Sequence, residues 1–357
     1  MDHMSMAEQQ HAQSADVFEA VHAKVLRFFP DLVYELGGDP KSLMARSGIE
    51  FHNASDANFG ATYRQVIALI ELAAQELRCC DFGMRLATLQ GGGNMFGPLG
   101  LVMKNSKTFG DALRYVGGHT YAHSQAVRVW LRQHRGERTL FAGHDVLLDR
   151  LPDKSQATEQ MLLLGHLAAM EITGGRARVR KVHVRHQPVS SLKTYRRYFG
   201  CEVRFGQHED GVFFSERDLA APIVDSDPQI YERAASFIDA RFALHRPPVE
   251  AQVRGFIMQS LGTEDCRNER TAAELNLHPK TMQRLLKAEG TSFQKIKDEV
   301  RCDILLYCLK QTDMDFASIS ERLGFTEQSV MTRTCNRWFS VSPTKLRAQS
   351  RLPRGAR

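Results

Sequence analysis

The sequence of 357 residues lacks paired cysteine motifs, a long hydrophobic run and, after Glu327, any acidic side chain. Its seven cysteines are odd in number and show no C-x-x-C spacing, which argues against a disulfide framework and predicts free thiols. The longest apolar stretch, Met161–Ile172, is too short to cross a bilayer. The polar beginning of the chain does not resemble a secretory signal, so the sequence predicts a cytoplasmic protein without a membrane partner.

Motifs of catalysis are lacking as well. The sequence contains no nucleophile elbow, dinucleotide fingerprint or metal-ligand set, so it predicts neither an enzyme nor a cofactor or metal. Gly91–Gly93 lacks the strand and the Lys-Ser/Thr of a phosphate-binding loop, and we interpret it as a flexible loop. His119 and His123 have a spacing that suits a metal, but no neighbouring Cys, Asp or Glu completes a site.

What the chain does have is positive charge concentrated near its end. From Val249 onward there are 18 Lys and Arg against 13 Asp and Glu, so this part holds five of the six net positive charges. This asymmetry favours a polyanionic partner. The arginines from Arg351 onward are interpreted as a solvated tail.

The periodicity predicts two domains. Residues 17–243 predict an α+β domain, with helices to about Leu89 and then strands and helices in an order that favours a mainly antiparallel sheet. The predicted strands are 127–131, 140–142, 179–186, 203–205 and 212–214, with a turn at 135–137, and the predicted helices are 107–119, 154–172, 190–199 and 225–243. Residues 244–250, which include Pro247 and Pro248, predict a linker. Residues 251–350 predict an all-α domain.

A first helix-turn-helix pattern covers Thr271–Gly290. A short helix at 271–275 is followed by Asn276, which tolerates the left-handed turn conformation, and Pro279 opens the second helix. Apolar spacing turns Met282, Leu285 and Leu286 inward. The outward face then carries Lys280, Thr281, Gln283, Arg284 and Lys287. These side chains suit base edges in a major groove, although a solvated surface helix is the alternative at this point.

A second pattern covers Asp315–Pro343. Gly324 supplies the left-handed stop of its first helix, and Thr326 is the predicted N-cap of the next. The inward positions of the two helices are Phe316, Ile319, Leu323, Val330, Met331, Cys335 and Trp338. The outward positions of the second helix are Gln328, Ser329, Thr332, Arg333, Asn336 and Arg337.

An amphipathic helix predicted at Ser292–Lys310 separates the two patterns. At about 1.5 Å per residue it is roughly 28 Å long, whereas successive major grooves on one DNA face lie roughly 34 Å apart. The sequence therefore predicts two recognition helices, 279–289 and 327–338, that reach adjacent grooves.

Residues from about Val253 to Arg347 resemble the DNA-binding domain of the AraC/XylS family of bacterial regulators. The stretches that carry the resemblance are KTMQRLLKAEGTSFQKIKDEVR (Lys280–Arg301) and ISERLGFTEQSVMTRTCNRWFSVSP (Ile319–Pro343). The resemblance implies base-reading roles for Lys280, Gln283, Arg284, Gln328, Ser329, Thr332 and Arg333. It also implies promoter DNA and RNA polymerase as partners.

The chain departs from the family pattern at five positions of the two motifs. Asn276 and Ser340 stand where the family usually has Gly, Met331 and Cys335 where it has Phe, and His278 where it has an N-capping Ser. Met and Cys remain apolar, so we expect the core to persist with weaker packing. Ser340 requires a backbone conformation that accepts a side chain.

The N-terminal part, from about Leu32 to Phe237, resembles the arabinose-binding-like domain that precedes this module in some AraC-type regulators. The matching stretches are FGPLGLVMKNSKTFGDALRYV (Phe96–Val116) and SLKTYRRYFGCEVRFGQHEDGVFFSERDLAAPIVDSDP (Ser191–Pro228). The resemblance implies a small-molecule effector and a homodimer. Tyr121, His123 and Trp130 are candidates for lining an effector pocket, with core packing as the alternative.

Three functions are compatible with the sequence. The leading hypothesis is a sequence-specific transcription regulator that responds to an effector. The second is an enzyme tethered to DNA, and the third is a regulator that acts through protein contacts alone, without a ligand.

Overall fold

The computed structural model describes residues 18–21, 23–50, 61–134, 138–149, 151, 153–242 and 247–351. The chain divides into two compact units, Met1–Arg246 and Pro247–Arg357. The turn predicted at 135–137, the linker positions 244–246 and the terminal arginines Arg354 and Arg357 lie outside the described residues. All seven cysteines lie in the described residues, and they are thiols outside any disulfide, as predicted.

The N-terminal unit begins with helices and a two-stranded ribbon, Ala20–Val21 (β1) and Ala61–Thr62 (β2). Its first helices are Phe29–Glu35 (α1), Pro40–Arg46 (α2), Tyr63–Glu76 (α3) and Phe82–Gln90 (α4). Asp39 caps α2 by accepting the backbone N–H of Lys41 at 3.0 Å, as the Asp-Pro start signal indicates. These helices pack around a shared apolar core that includes Phe29, Ile70 and Phe82.

The second half of this unit is built on a five-stranded sheet. Its strands are Val127–His134 (β3), Thr139–Val146 (β4), Lys181–His183 (β5), Glu202–Arg204 (β6) and Gly211–Ser215 (β7). The strand order is β3-β4-β7-β5-β6, and the neighbouring pairs are antiparallel except for the parallel pair β5 and β6. The predicted α+β class with a mainly antiparallel sheet is confirmed. The strand predicted at 179–186 was too long, because regular pairing is limited to β5.

Helices that share the apolar core of the sheet are Pro98–Asn105 (α5), Phe109–His119 (α6), Ser155–Ile172 (α7) and Leu192–Phe199 (α8). The short helix Glu216–Leu219 (α9) follows β7, and Pro228–Phe242 (α10) packs on α5. The long helix α7 begins without a side-chain cap of its own. Instead, the half-buried carboxyl group of Glu71 accepts the backbone N–H groups of Gln156 at 2.7 Å and Ala157 at 3.2 Å. One turn along α7, Glu159 accepts the hydroxyl of Tyr195 at 2.5 Å.

The C-terminal unit is entirely helical over its described residues. Its helices are Val249–Ser260 (α11), Asn268–Glu274 (α12), Pro279–Ala288 (α13), Phe293–Gln311 (α14), Phe316–Arg322 (α15), Gln328–Phe339 (α16) and Pro343–Arg351 (α17). Two small apolar cores lie in series, one around Met282, Leu286 and Ile296, the other around Leu309, Ile319 and Met331. Leu261 and Ile304 pack against both cores and so connect them.

Candidate nucleic-acid interface and effector cavity

The first helix-turn-helix motif consists of α12 and α13. Asn276 occupies the turn with a φ of 54°, the left-handed conformation predicted for it. His278 caps α13, because its Nδ1 accepts the backbone N–H of Lys280 at 3.3 Å. Met282 and Leu286 are fully buried, whereas Leu285 is only half-buried. Of the outward positions, Lys280, Gln283, Arg284 and Lys287 are exposed and Thr281 is half-buried.

The second motif consists of α15 and α16. Gly324 adopts the predicted left-handed turn with a φ of 64°, and a Cβ there would lie only 3.0 Å from the backbone nitrogen of Gly262. Met331 and Cys335 of α16 are fully buried in the apolar core of this motif. The smaller apolar side chains that replace the family's Phe therefore still fill this core.

The start of α16 differs from the prediction. Its N-cap is Glu327 rather than Thr326, and no side chain caps the helix. The Glu327 carboxylate instead accepts the hydroxyl of Ser329 at 2.9 Å. Thr326 is exposed and lies one residue too early, because Glu327 still has extended backbone angles.

The outward positions of α16 form a polar and basic face. Gln328, Ser329, Arg333 and Arg337 are exposed, and Thr332 is half-buried with its hydroxyl donating to the Gln328 carbonyl at 3.0 Å. Arg337 is directed back toward the spacer helix, since its guanidinium lies 3.8 Å from the carboxylate of Asp298. Arg333 is therefore the basic side chain of α16 with more freedom to leave the protein surface.

Arginine side chains connect the spacer helix α14 to the second motif and to α11. Arg301 donates to the carbonyls of Leu323 and Gly324, both at 2.9 Å, and its guanidinium lies 4.5 Å from the centre of the Phe325 ring. It therefore binds the end of α15 and the turn after it. Two residues before Arg301 on α14, Glu299 pairs with the buried Arg254 of α11.

Sequence reasoning missed these anchors. The sequence places Arg301 only at the end of a matching stretch, and it counts Arg347 with the basic excess. Arg347 instead donates to the Met314 carbonyl at 2.5 Å and covers the Phe316 ring at 4.5 Å. A usable signal was position: Arg301 precedes the buried Leu305 by four residues and so shares its stripe on α14.

In the N-terminal unit, a cavity of about 100 Å³ lies between the inner face of the sheet and helices α5, α6 and α7. Most of its wall is apolar and includes Phe96, Phe109, Met161 and Phe214. Its polar side chains, among the described residues, are Thr120, His123 and His144.

The three candidate effector residues do not come together at this cavity. His123 lines it, and its ring packs edge-on against Phe96 with centroids 5.9 Å apart. Trp130 lies on the face of β3 that points away from the cavity, because successive side chains alternate and Val127 and Val129 line the cavity. It packs against Phe141 on the other face, with ring centroids 5.3 Å apart.

Tyr121 also lies away from the cavity, beside His119, with ring centroids 5.8 Å apart. The His119 ring stacks on Tyr115 at 3.9 Å, and its Nδ1 is 2.8 Å from the Tyr115 carbonyl oxygen. His119 and His123 therefore have separate surroundings, and the described residues contain no group of three potential metal ligands.

The glycine loop is occupied by an acidic side chain. The backbone N–H of Gly93 donates to the Glu171 carboxylate at 3.0 Å, and Lys104 pairs with the same carboxylate at 2.7 Å. A bound carboxylate leaves this loop no role as a phosphate cradle.

None of the helices in the described ranges is both long and apolar enough to cross a membrane.

Two helix-turn-helix motifs on one spacer helix, each with a polar and basic second helix, define a DNA-binding protein. Comparison with known proteins makes the class more specific. A family model described as the arabinose-binding domain of AraC transcription regulators matches residues 37–223, and a helix-turn-helix domain model matches residues 271–349.

Two curated relatives agree with these matches. VirS, an HTH-type transcriptional regulator of Mycobacterium tuberculosis, is 30% identical over 332 residues, which cover 92% of this chain and 96% of VirS. The ornithine utilization regulator of Pseudomonas aeruginosa is 23% identical over 169 residues, 47% of this chain and 50% of that protein. The structure of the P. aeruginosa transcriptional regulator CdpR aligns with 89% of this chain at 16% identity and a TM-score of 0.42.

The chain belongs to the AraC family of transcription regulators, with an arabinose-binding-type N-terminal domain and a helix-turn-helix C-terminal domain. The family and the regulatory class that the sequence predicted are confirmed.

Proposed function

We propose that this regulator reads DNA with α13 and α16 in adjacent major grooves and that a small molecule in the N-terminal unit controls this binding. The observation that carries the proposal is the spacer helix. α14 has 19 residues, and both motifs are attached to it by buried side chains. A helix of this length, about 28 Å, suits the roughly 34 Å between successive grooves.

The exposed side chains divide into two roles. Arg284 and Arg333 would bind guanine edges bidentately, and Gln283 and Gln328 would bind adenine edges, since all four side chains are exposed. Lys280, Thr281, Lys287, Ser329, Thr332 and Arg337 complete the proposed interface, with the lysines on phosphates. Phosphate contacts supply affinity that depends on salt, whereas base contacts supply sequence preference.

The remaining partners are part of the proposal. A homodimer would place two such units on paired half-sites, RNA polymerase would be the target at the promoter, and the cytoplasm would be the compartment. The domain limits proposed from the sequence are 17–243 for the effector domain, 244–250 for the linker and 251–350 for the DNA-binding domain. The cavity between sheet and helices supports an effector-responsive regulator over one that acts through protein contacts alone, and the family class supports a regulator over an enzyme.

Base reading can be tested with Arg284→Ala and Arg333→Ala. Each variant should lose about 1–3 kcal/mol of preference at one operator position while its other preferences persist. The measurement is sequencing of DNA selected from a random library by the full-length protein. Arg270→Ala is a matched control, because Arg270 is exposed on α12 and pairs with Asp265 at 3.6 Å. Unchanged preference in both reader variants would contradict the proposal.

A further inference from the structure

The cavity of the N-terminal unit carries information about its ligand. Its described lining contains no Lys, Arg, Asp or Glu. A charged ligand group would therefore be buried without a partner of opposite charge, which costs far more than such a cavity can return. The ligand that fits must be uncharged inside the cavity.

The polar capacity of the wall is also small. The Thr120 hydroxyl already donates to the Val116 carbonyl at 2.8 Å and accepts the Val129 N–H at 3.3 Å. A sugar such as arabinose carries a hydroxyl on almost every carbon, and each needs partners once it leaves water. The wall therefore does not suit a sugar, although the matching family model is described as arabinose-binding.

One polar side chain at this wall lacks a partner. His144 is 8% exposed, and its Nε2 is buried without a hydrogen bond to the described residues. β4 holds it in place, because its backbone N–H donates to the Asp210 carbonyl at 2.9 Å and it pairs with Val129 of β3. An unsatisfied buried imidazole is costly, so a ligand group that bonds to it gains more than at an exposed site.

The imidazole can serve either a donor or an acceptor. Burial lowers the pKa of His144 to about 4, so the ring is neutral near pH 7. A neutral imidazole has one N–H and one lone pair. It can therefore bond to a hydroxyl or to a carbonyl.

Space for the ligand is left by a glycine in the middle of α7. Gly165 lines the cavity, and a Cβ added there would meet no atom within 4 Å. Glycine inside a helix is destabilising relative to alanine, so a residue that leaves space here weakens the helix. The cavity of about 100 Å³ is of the order of the roughly 150 Å³ apolar cavity that holds benzene.

We infer that this cavity binds a small, uncharged, mainly apolar molecule about the size of phenol, whose single hydroxyl or carbonyl group bonds to Nε2 of His144. The inference names the ligand class of the effector in the proposed function and rests on it. Sugars, amino acids and phosphorylated metabolites are excluded by the same wall.

The experiment is calorimetric titration of the full-length protein with phenol, cyclohexanol, benzene, arabinose and benzoate. Phenol and cyclohexanol should bind the unaltered protein, and arabinose and benzoate should not. His144→Leu should weaken phenol by about tenfold and leave benzene unchanged, because only phenol loses a hydrogen bond. Gly165→Leu should abolish binding of all probes by filling the space.

Gly118→Leu is the matched control for the filled cavity. Gly118 lies in helix α6 and is exposed, and a Cβ added to it would likewise meet no atom within 4 Å, but it does not line the cavity. The substitution should leave phenol binding unchanged. If Gly165→Leu fails to fold, Gly165→Ala provides the smaller obstruction, with a partial loss of affinity.

Three results would overturn the inference. In the first, Gly165→Leu binds phenol as tightly as the unaltered protein does. In the second, no uncharged probe binds up to the limit of its solubility. In the third, arabinose or benzoate binds, and Gly165→Leu abolishes that binding. DNA binding of the same variants, measured on genomic fragments that the protein enriches, tests the DNA-binding function separately from the ligand class. If DNA is bound but the probes are not, the ligand class is wrong while the DNA-binding function stands.

Discussion

Replacing Ser340 by glycine should stabilise the second helix-turn-helix motif. Ser340 ends α16 in the left-handed conformation, with φ 57° and ψ 16°, and its backbone N–H donates to the Asn336 carbonyl at 2.8 Å. A side chain in this conformation costs about 1–2 kcal/mol, because Cβ crowds the carbonyl oxygen. Glycine removes that crowding and keeps the hydrogen bond.

The expected gain is smaller than the strain. Glycine also increases the conformational entropy of the unfolded chain, which offsets about 0.4–1 kcal/mol. The difference leaves a net stabilisation of about 0.5–1 kcal/mol. For a unit of this size, the midpoint of thermal unfolding should rise by about 2–6 °C.

The chain offers a local probe for this measurement. Its two tryptophans are Trp130 in the N-terminal unit and Trp338 in α16. In a Trp130→Phe background, the fluorescence of Trp338 follows the second motif alone, two residues from the substitution. Urea and thermal unfolding recorded in this way give the change in free energy of unfolding directly.

Two controls make the reasoning refutable. Ser340→Ala keeps Cβ and removes only the exposed hydroxyl, so it should bring no gain. Asn276→Gly should stabilise the first motif by only a few tenths of a kcal/mol, because Asn tolerates the left-handed conformation. Hydrogen exchange of the backbone amides in the first motif measures this change. If Ser340→Ala stabilises the motif as much as Ser340→Gly, backbone strain is not the cause.

Further predictions concern the spacer anchor and the buried carboxyls. Arg301→Ala should destabilise the second motif by about 2–3 kcal/mol, because the hydrogen bonds to two carbonyls are lost, and Arg301→Lys should have an intermediate effect. In a DNase footprint, Arg301→Ala should erase the half bound by the second motif before the half bound by the first. Equal loss of both halves would argue against a local anchor. Burial raises the pKa of Glu159 and of Glu71 to about 8, so their share of stability is present at low pH and is lost as pH rises toward 8. Histidines such as His144, whose pKa is lowered to about 4, act in the opposite direction but only up to about pH 6.5. Between pH 6.5 and 8 the free energy of unfolding of the N-terminal unit should therefore fall by about 1–2 kcal/mol for each of the two carboxyl groups. Denaturation curves of Glu159→Gln should lack the fall that Glu159 contributes. If the free energy of unfolding of this variant falls with pH as steeply as that of the unaltered protein, the assignment is refuted.

The helix-turn-helix motifs were readable from the sequence because their determinants are local. The turn conformations of Asn276 and Gly324 follow from residue type, and the burial of Met282 and Leu286 follows from helical spacing. The N-cap of α16 was misplaced by one residue, because Thr326 is the better capping residue by type while the backbone turns helical only after Glu327.

Long-range contacts were beyond the sequence. Nothing local indicates that Arg301 meets carbonyls 22 and 23 residues further along the chain. The cavity was missed for a related reason. Strand periodicity separates Val129 from Trp130 but does not say which face is covered by helices, and the predicted strand 140–142 stopped before His144, which extends the cavity face of β4.

The spacer helix also limits how such a regulator can change over time. One residue inserted into α14 would rotate everything beyond it by about 100° and advance it by about 1.5 Å. Inserted after Arg301, the extra residue would move the carbonyls of Leu323 and Gly324 away from the Arg301 guanidinium. In the proposed binding mode it would also turn the exposed face of α16 away from its groove. In the proposed binding mode, the length of α14 therefore sets the distance between the two halves of an operator site, whereas substitutions on α13 and α16 alter the contacts to the bases. The bases that are read can change, while the spacing at which they are read stays fixed.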